Sequence, residues 1–361
     1  MSRETYIESP SPISIEFHRG QYYVEFKTDL VEALEAEIRS TDILFIDDHV
    51  LQLYPEIPES IPRQTRVVPL VASEQSKDLL FIPKMIDGLL KADFRRGSRL
   101  VAIGGGIIQD IVAFSASILH RGVEWVFFPT TLLAQGDSCI GGKSSINFGS
   151  FKNQIGGFFP PSKIVCVESF LHTLPEADFR SGVGEIAHYY CLQAEEIFGS
   201  FARVIPEVLK DRSTVTPLIH QTLTIKKNFI EEDEFDLARR KLLNFGHSFA
   251  HAIEAATHYG VPHGTAVAYG IDLAFRVSER LGMVDLEEVE KVWGVIQKIV
   301  GDFEFPQVEA ETVLAALSHD KKNTATHLNL ILTSGLGKMA VVSLGELDPV
   351  RSVLKECLQK Y

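Results

Sequence analysis

Cysteine is scarce in this chain, with 4 in 361 residues and none in CxxC spacing. Cys139, Cys166, Cys191 and Cys357 lie far apart, which argues against a cysteine-bound metal and for reduced thiols in the cytoplasm. Long apolar runs are absent too. No uncharged stretch approaches the ~18 residues of a membrane span, and the opening MSRETYIESPSPISIEF has no apolar core behind its charges, so neither a membrane segment nor a secretory leader is expected. Cations are the third shortage: 35 Lys and Arg against 48 Asp and Glu leave a formal charge of −13. That balance disfavours a nucleic-acid surface. An acidic chain that binds an anionic metabolite has to gather its few cations in one place.

What is present is an ordinary globular composition, 45% hydrophobic and 23% charged, in a chain longer than the ~250–300 residues at which a single core stops growing. Two domains are therefore expected. From about residue 13, the runs DILFIDD, TRVVPLV, RLVAIGGG, VEWVFFPTT and KIVCVES read as strands, and DLLFIPKMIDGLLKADF reads as an amphipathic helix. Strands alternating with helices predict a parallel sheet covered on both faces. After HTLPEADFRSG the texture turns helical, with few strand candidates. The boundary is expected near Pro175, giving an α/β domain over 1–178 and a mainly α-helical domain over 179–361.

In RLVAIGGGIIQDIVAF, Gly104, Gly105 and Gly106 follow a strand and precede a helix. Glycine lets a backbone approach a pyrophosphate, and a helix N-terminus offers it unpaired N–H groups. The spacing is GGGxxxD rather than GxGxxG, so a tight strand-to-helix turn explains it equally well. Asp47, ending ILFIDD, stands where a ribose-binding carboxylate could sit. Further on, FPTTLLAQGDSCIGGKSSINFGSFKNQIGGF mixes glycine with Asp137, Lys143, Asn147, Lys152 and Asn153. It reads as a long, functional loop able to cradle phosphate.

LLNFGHSFAHAIEAATHYGVPHG holds four histidines. His247 and His251, four apart in a helical segment, share a face, and His263 follows a turn that could fold back on them. Two histidines plus a carboxylate would suit a catalytic zinc. HExxH is missing because Ser248 takes the glutamate position, which disfavours a metalloprotease. Singly, each histidine is as well explained as polar surface or a satisfied core residue; His258 carries no further signal.

Together these pieces resemble the sugar phosphate cyclase family, of 3-dehydroquinate synthase-like sequences. The matching strings are SEQSK, AIGGGIIQD, HRGVEWVFFPTTLLAQGDSCIGGKSSIN, KNQIGGFFPP, TLPEADFRSGVGEIAHY, DEFDLARRKLLNFGHSFAHAIE, PHGTAVAYGI and DKKN, in order from about residue 72 to 323. The resemblance implies a Rossmann-like, NAD-binding α/β domain followed by a helical domain, with the active site in the cleft between them. It also implies one divalent metal, zinc or else cobalt, on Glu185, His247 and His263. The reaction so implied oxidises a secondary alcohol of a seven-carbon keto-sugar phosphate with NAD⁺, eliminates phosphate, returns the hydride, then opens the ring and closes it by aldol addition.

By the same resemblance, His251, Lys143, Asn244 and Asp137 are catalytic. Asp47, Glu74, Lys77, Gly105, Gly106, Asp110, Thr130, Thr131, Asp137, Ser138, Lys143 and Lys152 contact NAD. Arg121, Lys143, Lys152, Asn153, His188, Lys226, Arg240, Asn244, His251 and Lys322 bind substrate. Arg121 matches an arginine that reaches across from a second subunit, implying a homodimer. The matched cations suit a dianionic phosphate plus a carboxylate. Arg240 and Lys226 match carboxylate-binding positions, although Arg240 could instead pair with Asp233 or Glu234. Two departures stand out: His188 replaces the lysine of the family's ExxK, and Gln109 replaces a residue that is usually glycine. A cyclase for neutral sedoheptulose 7-phosphate and an NAD- and metal-dependent alcohol dehydrogenase are the alternative activities.

Overall fold

A computed structural model describes residues 10–149, 151–318 and 327–361. Lys322 and the whole DKKN motif lie outside the described residues. Two compact units emerge from the contacts, one drawn from Met1–Leu174 with Ile219–Phe235, the other from Pro175–Leu218 with Asp236–Tyr361.

In the first unit, β1 (Ile13–Phe17), β2 (Gly20–Lys27), β3 (Ile43–Asp47), β4 (Arg66–Leu70), β5 (Leu100–Gly104) and β6 (Trp125–Pro129) precede a hairpin of β7 (Lys143–Phe148) and β8 (Phe151–Phe158), and β9 (Lys163–Val167) closes the series. Seven of these form one sheet in the order β1-β2-β9-β6-β5-β3-β4, parallel except for the β1–β2 pair. All five expected strands are in it. The central ones, LVAIG and WVFFP, are buried along their whole length, as strands covered on both faces must be. One face packs Leu44, Ile46, Val101, Ile103, Val126 and Phe128 against Leu34, Val50 and Phe170.

Strands β3 and β5 are neighbours, yet the chain leaves β3 towards β4 on one side and returns to β5 on the other. Their C-terminal ends therefore flank a topological switch point, the crevice where open parallel sheets bind ligands.

The glycine-rich segment is not the irregular loop its composition suggested. A π-helical turn, Ala134–Ser138, leads into the β7–β8 hairpin, in which Ile146 is fully buried and pairs with Ile155. The domain limits also differ from a single cut near Pro175. Residues 219–235 pack with the first unit: Phe26 contacts His220, Glu231 accepts from the amide of Glu16, and Glu234 accepts from the amide and ring of His18.

Among the described residues the second unit is mainly helical and carries one hairpin, β10 (Leu328–Thr333) with β11 (Met339–Leu344). Its central helix, His263–Arg280, is buried along most of its length and packs against the helices Glu176–Cys191 and His247–Ala256.

Candidate metal and cofactor sites

Glu185 lies within the helix Glu176–Cys191, while His247 and His263 each open a helix. These helices can meet because a glycine adjoins each of the three residues. A Cβ on Gly264 would stand 1.8 Å from the carbonyl oxygen of Ser181, a separation no side chain tolerates. Gly246 holds a left-handed φ of 81°, turning the chain into the helix that His247 begins.

The donor atoms of Glu185, His247 and His263 lie within 4.8 Å of one another. Nε2 of His247 is 3.2 Å from Oε1 of Glu185, and Nε2 of His263 is 3.4 Å from Oε2. On the far side of each ring, Nδ1 faces an acceptor: the Phe245 carbonyl at 3.2 Å for His247, and Oε1 of Glu254 at 3.1 Å for His263. Such acceptors place the ring proton on Nδ1 and turn the Nε2 lone pairs towards Glu185. Glu185 is only 2% exposed, and among the described residues its Oε2 receives no hydrogen bond.

Three Lewis bases facing one another around a buried carboxylate call for positive charge at their centre. Protons on the rings or one divalent ion could supply it. Burial by itself raises the Glu185 carboxyl. Were those rings protonated on both nitrogens, positive charge on His247, then on His263 and His188, would outweigh burial and hold it well below the usual carboxylate range. A divalent cation would act in the same direction. The donor set of one carboxylate and two imidazoles fits zinc or cobalt and leaves positions open for another ligand.

His251 borders the trio, its ring centroid 5.9 Å from that of His247 and 5.8 Å from that of His263. Glu254 was not read from the sequence as a site residue. It falls one turn beyond His251 and seven residues beyond His247, a spacing on one helical face that could have drawn attention to it. His188 is 1% exposed, with Nδ1 2.5 Å from the carbonyl oxygen of Glu185 and its ring edge-on to His247. Arg240 and Asn244 share the turn Arg239–Asn244. Arg240 is 3% exposed, and Nδ2 of Asn244 donates to the Lys241 carbonyl.

In the first unit, Asp47 ends β3 and Gly104 ends β5, on either side of the switch point. Gly105 caps the 13-residue helix Gly106–Ile118, which has no side-chain cap, and a Cβ on Gly106 would meet nothing within 4 Å. Unpaired N–H groups at an open helix end beside a switch point fit the pyrophosphate of a dinucleotide. Asp47 caps the following helix through the amide of His49, and burial raises its carboxyl. Thr130 donates its N–H to the Gly104 carbonyl, and Oγ1 of Thr131 accepts from the Ala134 amide.

Several expected residues join one polar network here. Lys77 Nζ is 2.6 Å from Asp110 Oδ2, and Asp110 also accepts from the Ser145 amide. Ser145 Oγ reaches Asn153 Oδ1, the Asn153 amide donates to Asn147, and Asn147 donates to Glu74. Lys226 Nζ donates to the carbonyl and carboxylate of Asp137 at 2.6 and 2.8 Å, leaving one of its three N–H groups for a ligand. Lys143 and Lys152 are not side by side. Lys143 pairs with Phe158 at the open end of the hairpin, whereas Lys152 follows Phe151 beside its turn. Arg121 is exposed, and the backbone is left-handed at His120 (φ 49°) and at Arg121 itself (φ 68°).

The 3-dehydroquinate synthase N-terminal model matches residues 67–181 and the C-terminal model matches 182–323. The chain belongs to the 3-dehydroquinate synthase family. It is 34% identical over 327 residues to the 3-dehydroquinate synthase of Bartonella quintana (strain Toulouse), covering 87% of each chain. Two solved structures share the fold of this family member. One is a 2-deoxy-scyllo-inosose synthase complexed with carbaglucose-6-phosphate, NAD⁺ and Co²⁺, with TM-score 0.84, 21% identity and coverage of 96% of this chain and 100% of that one. The other is the 2-epi-5-epi-valiolone synthase of Streptomyces hygroscopicus subsp. jinggangensis 5008 with NAD⁺ and Zn²⁺ bound, with TM-score 0.83, 23% identity and coverage of 94% and 97%. No helix among the described residues is long and apolar enough to cross a membrane.

Proposed function

We propose that this chain is an NAD- and metal-dependent sugar phosphate cyclase that converts a seven-carbon keto-acid sugar phosphate to a carbocycle with release of phosphate, the 3-dehydroquinate synthase reaction or a close analogue. The observation that carries the reading is the trio Glu185, His247 and His263, set within a chain of the 3-dehydroquinate synthase family. Glu185, His247 and His263 would hold one zinc or cobalt ion, and the N-terminus of Gly106–Ile118 would take the NAD pyrophosphate. NAD supplies reversible oxidation of a secondary alcohol, and the metal supplies Lewis acidity towards neighbouring hydroxyls.

The chain's own groups do the rest. His251, beside the trio, would exchange a proton with the substrate. Asp137 and Lys226 hold each other in register, so that the remaining Lys226 N–H can reach an anionic group. Arg240 would meet the substrate carboxylate, whose two oxygens suit the planar fork of a guanidinium. Lys143, Lys152, Asn153, Asn244 and His188 are the further substrate contacts of this reading, and Lys322 joins them by sequence. Arg121 would complete the site of a second copy, making the protein a homodimer. The protein would act in the cytoplasm; its described cysteines are free thiols, all buried.

Phosphate release should be measured with the keto-acid substrate 3-deoxy-D-arabino-heptulosonate 7-phosphate and with sedoheptulose 7-phosphate. Turnover of the keto-acid, with no steady accumulation of NADH, is expected. Turnover of the neutral heptulose alone would move the assignment to a valiolone-type cyclase, and net NADH formation would move it to an alcohol dehydrogenase. Analytical ultracentrifugation at assay concentration should give a dimer; a monomer with full activity would remove Arg121 from the site.

A further inference from the structure

Gln109 lies in the helix Gly106–Ile118 and is 4% exposed. Its side chain makes two short hydrogen bonds to a single residue. Nε2 donates to the carbonyl oxygen of Ser138 at 2.6 Å, and Oε1 accepts from the hydroxyl of Ser138 at 2.6 Å. The pair fixes the orientation of the amide, since a flipped amide would set its oxygen against the Ser138 carbonyl.

Ser138 ends the π-helical turn Ala134–Ser138, and the backbone then turns away through left-handed Gly141 and Gly142. Helix ends leave carbonyls without N–H partners. Here two successive ones are met by side chains: Asp137 O by Lys226 Nζ, and Ser138 O by Gln109 Nε2. The start of the same turn is pinned by Gln135, whose Nε2 donates to the carbonyls of Pro129 and Val167. A π-helical turn is an uncommon conformation that often marks functional sites, and it persists where surroundings over-determine it.

We infer that Gln109 is a positioning residue: its amide closes the turn that presents Asp137 and Ser138, and so sets how tightly the chain holds NAD. The inference rests on the reading above that Asp137 and Ser138 contact the cofactor. Gln109 itself touches neither NAD nor substrate in this scheme. It uses the Ser138 hydroxyl proton, so that this oxygen faces the cofactor as an acceptor only. It also ties the turn to the helix whose N-terminus would receive the pyrophosphate, so that the turn and the pyrophosphate site are held by one element.

The test is NAD affinity of the metal-loaded full chain, by calorimetry and by KM for NAD, in Gln109→Met, Asp137→Asn and Ser138→Ala. Methionine keeps the buried volume and removes both hydrogen bonds. For Gln109→Met the expected result is NAD binding weaker by about tenfold, with kcat at saturating NAD within about twofold of wild type. Gln109→Glu, which keeps the acceptor and loses the donor, should weaken NAD similarly and serves if the Met variant does not fold. The double variant with Ser138→Ala should lose less than the product of the single losses, because the two residues act as one unit. If Asp137→Asn and Ser138→Ala weaken NAD while both Gln109 variants bind it as wild type does, the inference is wrong and the cofactor reading survives. If none of the substitutions alters NAD affinity, the cofactor reading itself fails. A fall in kcat without a change in NAD affinity also overturns the inference.

Discussion

Oε1 of Glu254 lies 3.1 Å from Nδ1 of His263, on the opposite side of the ring from Glu185. That contact fixes which nitrogen of His263 can bind a metal, and it orients the ring. Glu254→Gln should therefore leave the fold intact and weaken metal affinity by about 10–100-fold, read by competition with a chromophoric chelator. Unchanged affinity would show that the carboxylate is incidental.

Metal removal should lower stability. An ion bound only by the folded chain adds about 2.7 kcal/mol at a free concentration 100 times its Kd. Thermal unfolding of the chelator-stripped chain should shift upward on adding zinc, and His247→Ala should show no such shift. A zinc-dependent shift retained in that variant would place the ion elsewhere.

Gly264→Ala should be costly although alanine favours helix. Its Cβ would lie 1.8 Å from backbone at Ser181, so the two helices must separate. A loss of about 1–3 kcal/mol is expected from overpacking alone, together with reduced metal content measured by elemental analysis. Wild-type metal content in a stable variant would mean the helices can separate without disturbing the trio.

Lys77→Met tests the buried pair with Asp110. Burial raises the Asp110 carboxyl above its ordinary value of 3.8, although the charge of Lys77 and the Ser145 hydrogen bonds oppose this. Losing the ammonium leaves a buried, uncompensated charge, which costs about 3–5 kcal/mol at neutral pH. A carboxyl raised in the folded state binds protons more tightly there than in the unfolded chain. Its contribution to stability is thus present below pH 3.8 and is lost as pH rises through the folded value. The difference between variant and wild type in denaturant unfolding should accordingly shrink as pH falls towards that range. A pH-independent difference would mean that Asp110 does not titrate in this window.

Arg240→Met should raise KM for a carboxylated substrate by about tenfold or more, since charge-assisted bonds are worth about 1.5–3 kcal/mol. KM for an uncharged heptulose should change little. Equal losses on both substrates would assign Arg240 to structure.

Much of the architecture was legible in local pattern. Continuous apolar runs marked the central parallel strands, because strands covered on both faces have no polar side to alternate with. The candidate donors Glu185, His247 and His263 were legible by resemblance, whereas the adjoining glycines that let their helices meet show their purpose only in the packing. The glycine-rich segment misled, because glycine reports conformational freedom and not whether a strand partner exists. Its hairpin depends on the pairing of Lys143–Phe148 with Phe151–Phe158.

The amino-acid order by itself determined the elements, their apolar faces and the chemical types at the two candidate sites, since these follow from periodicity and side-chain chemistry over a few residues. Only the tertiary structure decided that residues 219–235 return to the first unit, that Lys226 meets Asp137, and that Gln109 closes on Ser138. Each is a contact between distant stretches whose partners carry no mutual mark in sequence; the packing of buried surface brings them together, and their hydrogen bonds then offset the cost of burying polar groups.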